Sequence, residues 1–202
     1  MDKEGLIFII SAPSGAGKTS LCKEVARVFP DLWHSVSYTT RSPRLGENDG
    51  YDYYFVSEGK FKEMVDARKF AEWSEIYGDR YGTPVDALKK YKSNGIDIIL
   101  DIDGKGATQL RGSYPKCIYI FILPPSWEDL KKRLRARMTN TEEEIKERLK
   151  STKEELQYVV DYDYIVVNND FETAVSQLVS IITAERCRKE RVLHKVEELL
   201  NS

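Results

Sequence analysis

Short, predominantly apolar runs alternate along this chain with stretches whose apolar residues recur at helical spacing. Residues 6–10, 96–102 and 117–123 are the clearest runs. Their length and continuity predict strands covered on both faces of a parallel sheet. Residues 164–167 predict a last strand of the same kind. Residues 18–29 place Leu21, Val25 and Val28 on one stripe, and Pro30 stops them, so a helix is expected there. Ser57 is a natural cap for a helix through residue 66. Thr83 as N-cap, Pro84 at the first helical position and Gly95 as the stop predict a helix over 84–94. Two stretches of capping-box form, Ser126-Trp127-Glu128-Asp129 and Thr141-Glu142-Glu143-Glu144, open helices expected over 127–137 and 142–158. A final helix is expected from 171 toward 200.

The middle of the chain has a different texture. Residues 35–38 and 51–56 read as short strands. Residues 70–76 alternate, with Phe70, Glu72, Ser74 and Ile76 on one face and Ala71, Trp73 and Glu75 on the other. Residues from about 35 to 94 therefore form a small α+β insertion in a larger α/β fold whose strands alternate with helices around a parallel sheet.

Between the first strand and first helix lies Ala12-Pro13-Ser14-Gly15-Ala16-Gly17-Lys18-Thr19. Strand, glycine-bearing loop and helix in that order are the setting of a P-loop. There backbone N–H groups wrap phosphate oxygens, the lysine reaches the β/γ-phosphates and the Thr hydroxyl serves Mg²⁺. The helix dipole adds to the same anion site. Ala12 stands where the pattern has its first glycine, a mild departure because Ala is excluded only from positive φ.

Totals narrow the picture. The chain has 202 residues, suited to one compact domain with small insertions, and a net charge of −2. That balance gives no general basic surface for nucleic acid, so anion binding must come from local clusters. Cys22, Cys117 and Cys187 are widely spaced and odd in number, which fits free thiols in a reducing compartment. No signal peptide or membrane span is read at the start, and the cytoplasm is the expected location. His34 and His194 stand without a partner pattern, so neither a catalytic dyad nor a zinc site is expected.

The remaining chemistry points to a phosphoryl acceptor. Arg41 and Arg44 sit in a loop rich in turn residues and can present forked donors to a phosphate, with Tyr53 and Tyr81 beside them; the plainer alternative is a solvated loop. Glu72 shares a strand face with apolar residues, and a carboxylate there can accept from guanine N1–H and its 2-amino group together. Ser37 and Thr83 can add hydroxyl contacts to the base. Asp101 and Asp103 follow a buried strand as a Walker-B acid does, a position suited to Mg²⁺, directly or through water, or to substrate. Arg133, Arg135, Arg137 and Arg148 can close over the transferred group, or form a solvated basic face among glutamates.

Ser37-x-Thr39-Thr40-Arg41-x-Pro43-Arg44-x-Gly46-Glu47-x-x-Gly50-x-x-Tyr53-x-Phe55 closely resembles the signature of guanylate kinases. The likeness continues through Glu72-Trp73, Tyr81-Gly82-Thr83, Asp101-Ile102-Asp103-x-x-Gly106, Pro124-Pro125-Ser126 and Arg133-Leu134-x-x-Arg137. The resemblance implies a P-loop core at 1–34 and 96–202, a GMP-binding insertion at 35–95 and a helical lid at about 127–158. It implies Mg²⁺-dependent transfer of the ATP γ-phosphoryl group to GMP and dGMP, in purine nucleotide metabolism and salvage, by a monomer or homodimer. By position, Ser37, Glu72, Thr83 and Asp101 match guanine contacts, and Arg41, Arg44, Tyr53 and Tyr81 match contacts to the GMP phosphate. Lys18, Arg137 and Arg148 match groups that stabilise the transferring phosphoryl, and Asn168 matches a position near the ATP base. Lys105 stands where the family often has Gln, and Met138 where Gly is frequent. Two rival readings are a guanylate-kinase-like binding module without catalysis and a kinase of another small acceptor. The intact Gly15, Gly17, Lys18 and Thr19 oppose the first; Glu72 with the two-arginine loop opposes the second.

Overall fold

The structure, a computed structural model, describes residues 4–136 and 142–201. Strand β1 (Ile7–Ser11) leads into helix α1 (Lys18–Val28). There follow β2 (Leu32–His34), β3 (Tyr38–Thr39), β4 (Tyr54–Phe55), α2 (Glu58–Asp66), β5 (Phe70–Ile76), β6 (Asp79–Pro84) and α3 (Val85–Ser93). Then come β7 (Asp97–Asp101), α4 (Gly104–Ser113), β8 (Ile118–Leu123), α5 (Trp127–Ala136) and α6 (Glu142–Glu155). A 3-10 segment over Leu156–Asp161, β9 (Tyr164–Val167), α7 (Phe171–Arg186) and α8 (Lys189–Leu200) complete the order.

Five strands form a parallel sheet in the order β2-β7-β1-β8-β9. Every residue of β1 is buried, as a central strand covered on both faces requires. Alternate side chains feed two cores. Phe8 and Ile10 join Leu21 and Val25 of α1 and Leu178 and Ile182 of α7. Ile7 and Ile9 join Leu88 of α3, Leu110 of α4 and Tyr119. Burying each such side chain is worth about 1.5–3 kcal/mol, so these layers fix the strand ends from which the site is built. Leu130, Leu134 and Ile145 form a separate cluster joining α5 to α6.

The second sheet has four short strands in the order β4-β3-β6-β5. It is held by an aromatic group of its own: Phe61 of α2 stacks on Phe70 at 4.6 Å, and Tyr38 stacks on Tyr54 at 4.7 Å. Helix α4 ties it to the core, since Gln109 Nε2 donates to Trp73 O at 2.8 Å and Ser74 Oγ donates to Asp103 Oδ2 at 2.9 Å.

Several elements differ from expectation. The strand expected at 35–38 is displaced to both sides: β2 extends the large sheet and β3 belongs to the small one. Thr83 does not cap a helix. It lies in β6, Pro84 takes the N-cap position, and the Thr83 hydroxyl donates to Glu72 instead. Phe70 does not share the Glu72 face. A bulge between Phe70 and Glu72 shifts the register, and Phe70 turns with Trp73 toward Phe61. The last helix is broken at Cys187, which caps α7, and α4 was not foreseen.

Candidate active site

The phosphate loop sits at the carboxyl end of β1, the end of a parallel sheet where ligands bind. Gly15 and Gly17 both adopt φ of 93°, a left-handed conformation that side chains disfavour. Ala12 is not among the described positive-φ residues, so the departure there has no conformational cost. Beneath the loop the Asn168 amide donates to Ala16 O at 2.7 Å, and a Cβ at Gly17 would stand 2.5 Å from the Asn168 amide nitrogen. Arg133 donates to Asn168 O at 2.9 Å. Asn168 and Arg133 therefore brace the loop from below.

Lys18, the first residue of α1, reaches Asp101 Oδ1 at 2.8 Å and donates to Ile102 O at 2.7 Å. The Thr19 hydroxyl donates to Asp101 Oδ2 at 2.7 Å. Burial opposes the charge on Lys18, but the Asp101 carboxylate outweighs it and raises the ammonium's pKa. Burial likewise opposes ionisation of Asp101, and Lys18 prevails in holding that carboxyl below its ordinary range. The loop is thus held charged and paired before any ligand arrives.

Across the cleft stands Glu72, buried and accepting from the Thr83 hydroxyl at 2.5 Å. Burial pushes its carboxyl up to about 7, against the Thr83 hydrogen bond and with help from Asp103. Gly106 makes this placement possible, because a Cβ there would come within 2.3 Å of Glu72 Oε2. Asp103 caps α4 by accepting from Gly106 N at 2.7 Å. Arg41 donates through Nη2 to Glu47 at 2.9 and 3.0 Å and lies over the Tyr53 ring at 5.4 Å. Glu47 also accepts from Arg44 N at 2.7 Å, which folds the loop back on itself. Tyr53 meets Tyr81 edge to face at 5.9 Å, and burial pushes its hydroxyl up to about 12.

One cleft of about 360 Å³ runs from Ala12–Gly15 and Gly17–Ser20 past Asp101 and Asp103 to Ser37, Arg41, Arg44, Tyr53, Glu72 and Tyr81. A phosphate loop at one end and a buried carboxylate with two arginines at the other form a site for two phosphorylated ligands. A family model described as guanylate kinase matches residues 5–185. This chain belongs to the guanylate kinase family. It is 52% identical to the guanylate kinase of Geobacter metallireducens over 198 residues, covering 98% of both chains. It is 50% identical to that of Geobacter sulfurreducens over 201 residues, covering 100% of this chain and 99% of the relative. The crystal structure of guanylate kinase from Anaplasma phagocytophilum superposes with a TM-score of 0.81 at 30% identity, covering 97% of this chain and 95% of that one. As a guanylate kinase, the enzyme transfers a phosphoryl group from ATP to GMP, giving GDP.

The other expected residues fall in distinct places. Arg148 is in the cleft, donating to Ser14 Oγ at 2.9 Å with its guanidinium over the Tyr77 ring at 4.8 Å. Arg135 instead pairs with Glu142 on the exposed surface. Arg137 and Met138 lie outside the described residues. Thr83 is behind Glu72, and Asn168 and Ala16 are under the loop, so none of these three lines the cleft directly. Sequence reasoning missed Lys23 and Asp52, an ion pair joining α1 to the arginine loop, and Glu155, which lines the cleft from the end of α6. Burial pushes the Glu155 carboxyl up to about 7, against the pull of Lys18. Acidic residues spaced through polar stretches gave no signal of this. A second correction concerns His34, expected to lack partners: one ligand atom from each of Cys22, His34 and Asp101 gathers within 4.8 Å.

Proposed function

We propose that the two ends of the cleft divide the reaction between them. ATP phosphates lie on the loop Ala12, Pro13, Ser14, Gly15, Ala16, Gly17, Lys18 and Thr19, which Asn168 holds from below rather than contacting the base. GMP lies on the insertion at 35–95, its phosphate against Arg41, Arg44, Tyr53 and Tyr81 and its guanine against Glu72 and Ser37, with Thr83 serving the base through its hydrogen bond to Glu72 and Asp101 and Asp103 at the junction. Lys18, Arg41, Arg137 and Arg148 neutralise charge on the transferring group. This reading needs little covalent chemistry from the protein, since phosphoryl transfer is driven by positioning and electrostatic stabilisation.

The observation that carries the reading is the presence in one cleft of the phosphate loop and of a buried carboxylate on the opposing wall. Ionised Glu72 can accept two hydrogen bonds from guanine, whereas adenine offers an acceptor at N1 and would leave the carboxylate unpaired. Base edge and phosphate are the same in dGMP, so dGMP is accepted too. The Arg148–Ser14 contact supports the segment 127–158 as a lid that closes over the donor.

Thr19 and Asp101 present a hydroxyl and a carboxylate 2.7 Å apart beside Lys18, the hard oxygen set that Mg²⁺ takes. Bound there with ATP, Mg²⁺ would neutralise charge on the phosphate oxygens. No helix among the described residues is long and apolar enough to cross a membrane, and we place the enzyme in the cytoplasm with its nucleotide substrates.

The test is ADP formation from Mg-ATP with GMP, dGMP, AMP, CMP and UMP as parallel acceptors. Turnover confined to GMP and dGMP is expected. Comparable use of AMP would overturn the assignment of Glu72.

A further inference from the structure

Behind the phosphate loop two side chains that the reaction does not use, Cys22 and His34, meet one that it does, Asp101. Cys22, on the inward face of α1, is fully buried and free of disulfide. His34 ends β2, and its Nε2 is buried without a hydrogen-bond partner. Asp101 ends β7, the neighbouring strand. The Cys22 sulfur, an imidazole nitrogen of His34 and a carboxylate oxygen of Asp101 all lie within 4.8 Å of one another. Three elements that pack together for other reasons thus bring a thiol, an imidazole and a carboxylate to one point.

That donor set is chemically specific. Thiolate and imidazole select zinc and similar thiophilic cations, while Mg²⁺ and Ca²⁺ take oxygen alone. Zinc bonds of about 2.3 Å to sulfur and 2.0–2.2 Å to nitrogen and oxygen set tetrahedral ligand atoms about 3.5 Å apart, so separations within 4.8 Å have to shorten by up to about 1.3 Å. His34 Nε2 is buried and unpartnered, a cost that a cation bound at that nitrogen would remove. Access is through Asp101, which lines the cleft. We propose that Cys22, His34 and Asp101 form a binding site for zinc or a like thiophilic divalent cation, and that filling it inhibits phosphoryl transfer.

Three protein ligands leave one position for water. Cys22 binds as the thiolate, so its S–H proton leaves to solvent as the metal–sulfur bond forms. Inhibition follows because the cation competes for the carboxylate that pairs with Lys18 at 2.8 Å and accepts from Thr19 at 2.7 Å. This half of the inference rests on the proposed roles of Lys18 and Thr19; the binding half does not.

The test uses the full-length, reduced chain with Cys117→Ser and Cys187→Ser, which leaves Cys22 as the one thiol. Cobalt(II) serves as the optical probe, and Zn²⁺ at buffered free concentration is the inhibitor. One equivalent of cobalt should produce thiolate-to-cobalt charge-transfer absorption. Cys22→Ala should abolish that band. His34→Asn should weaken cobalt binding by about tenfold or more, since loss of even an outer-shell partner costs that much. Both variants should retain activity without zinc and need about tenfold more zinc for inhibition. Near-ultraviolet circular dichroism of the metal-free proteins checks folding, and either variant alone suffices if the other fails that check. Absence of the cobalt band in the folded parent would overturn the site. A band with zinc inhibition equal in parent and variants would overturn the inhibitory role and leave the binding site standing.

Discussion

The two ends of the cleft are built on different principles. The donor end stands on the deepest part of the molecule: β1 is buried throughout, and the loop is braced from below by Asn168 and Arg133. Its charge is internally matched through Lys18 and Asp101. The acceptor end stands on four short strands with a small aromatic group, and its arginine loop is closed by Glu47 rather than by packing. Local stability follows buried apolar contact, so the donor end should be the more rigid. On the proposed reading, the comparison assigns selectivity to the acceptor end. Any nucleoside triphosphate offers the donor end the same phosphates, whereas the acceptor end carries Glu72, the buried carboxylate proposed to distinguish the base.

Mutations at the two ends should therefore fail in different ways. The largest effect is expected at the donor end. Lys18→Ala should lower kcat by about a thousandfold, the scale of losing one preorganised charge on a transferring phosphoryl group. Melting temperature should not fall in step, and a rate within tenfold of the parent would break the assignment. At the acceptor end Arg41→Ala should raise KM for GMP and, through its proposed contact with the transferring group, also lower kcat. A charged hydrogen bond is worth about 1.5–3 kcal/mol, so KM should rise by about ten- to a hundredfold while KM for ATP stays unchanged. Equal changes in the two KM values would mean that the two ends are not separable.

Acidity sharpens the comparison. In its proposed role Glu72 accepts from guanine as the ionised carboxylate, and burial pushes its carboxyl up to about 7. KM for GMP should rise as pH falls below about 7, by more in the parent than in Glu72→Gln. The same shift acts on stability with the opposite sense. A carboxyl raised from 4.5 to about 7 on folding holds its proton more tightly in the folded state. Its contribution is present below 4.5 and is lost as pH rises through 7. Thermal melts should therefore fall more steeply over that window for the parent than for Glu72→Gln. The smallest effect is expected at Thr83→Val, which removes one hydroxyl from Glu72. A cost of about 1 kcal/mol, or a fewfold loss in kcat/KM for GMP, is expected.

The same contrast explains what could be read from the chain. The donor end was legible because strand, loop and helix are contiguous, and each local rule agrees with its neighbour. Glu72 was legible as a carboxylate on an alternating strand, although the bulge beside it moved Phe70 to the other face. Thr83 misled because its neighbour Pro84 fits a helix start; the pull of a buried carboxylate kept it in a strand. Helix α4 was hidden by its glycines. Gly104 and Gly106 weaken helix propensity but let Tyr158 and Glu72 approach the backbone. Contacts between distant segments left no sequence trace, among them Arg133 under the loop, Lys23 on Asp52, and the meeting of Cys22, His34 and Asp101.

The most direct test of the division between the two ends is the ratio of kcat/KM for GMP over AMP, measured in the parent and in Glu72→Gln at pH 8. The account predicts that this ratio falls by about 1–3 kcal/mol, or roughly five- to 150-fold, while KM for ATP is unchanged. An unchanged ratio in a folded, active variant would contradict the claim that base selectivity resides in the insertion.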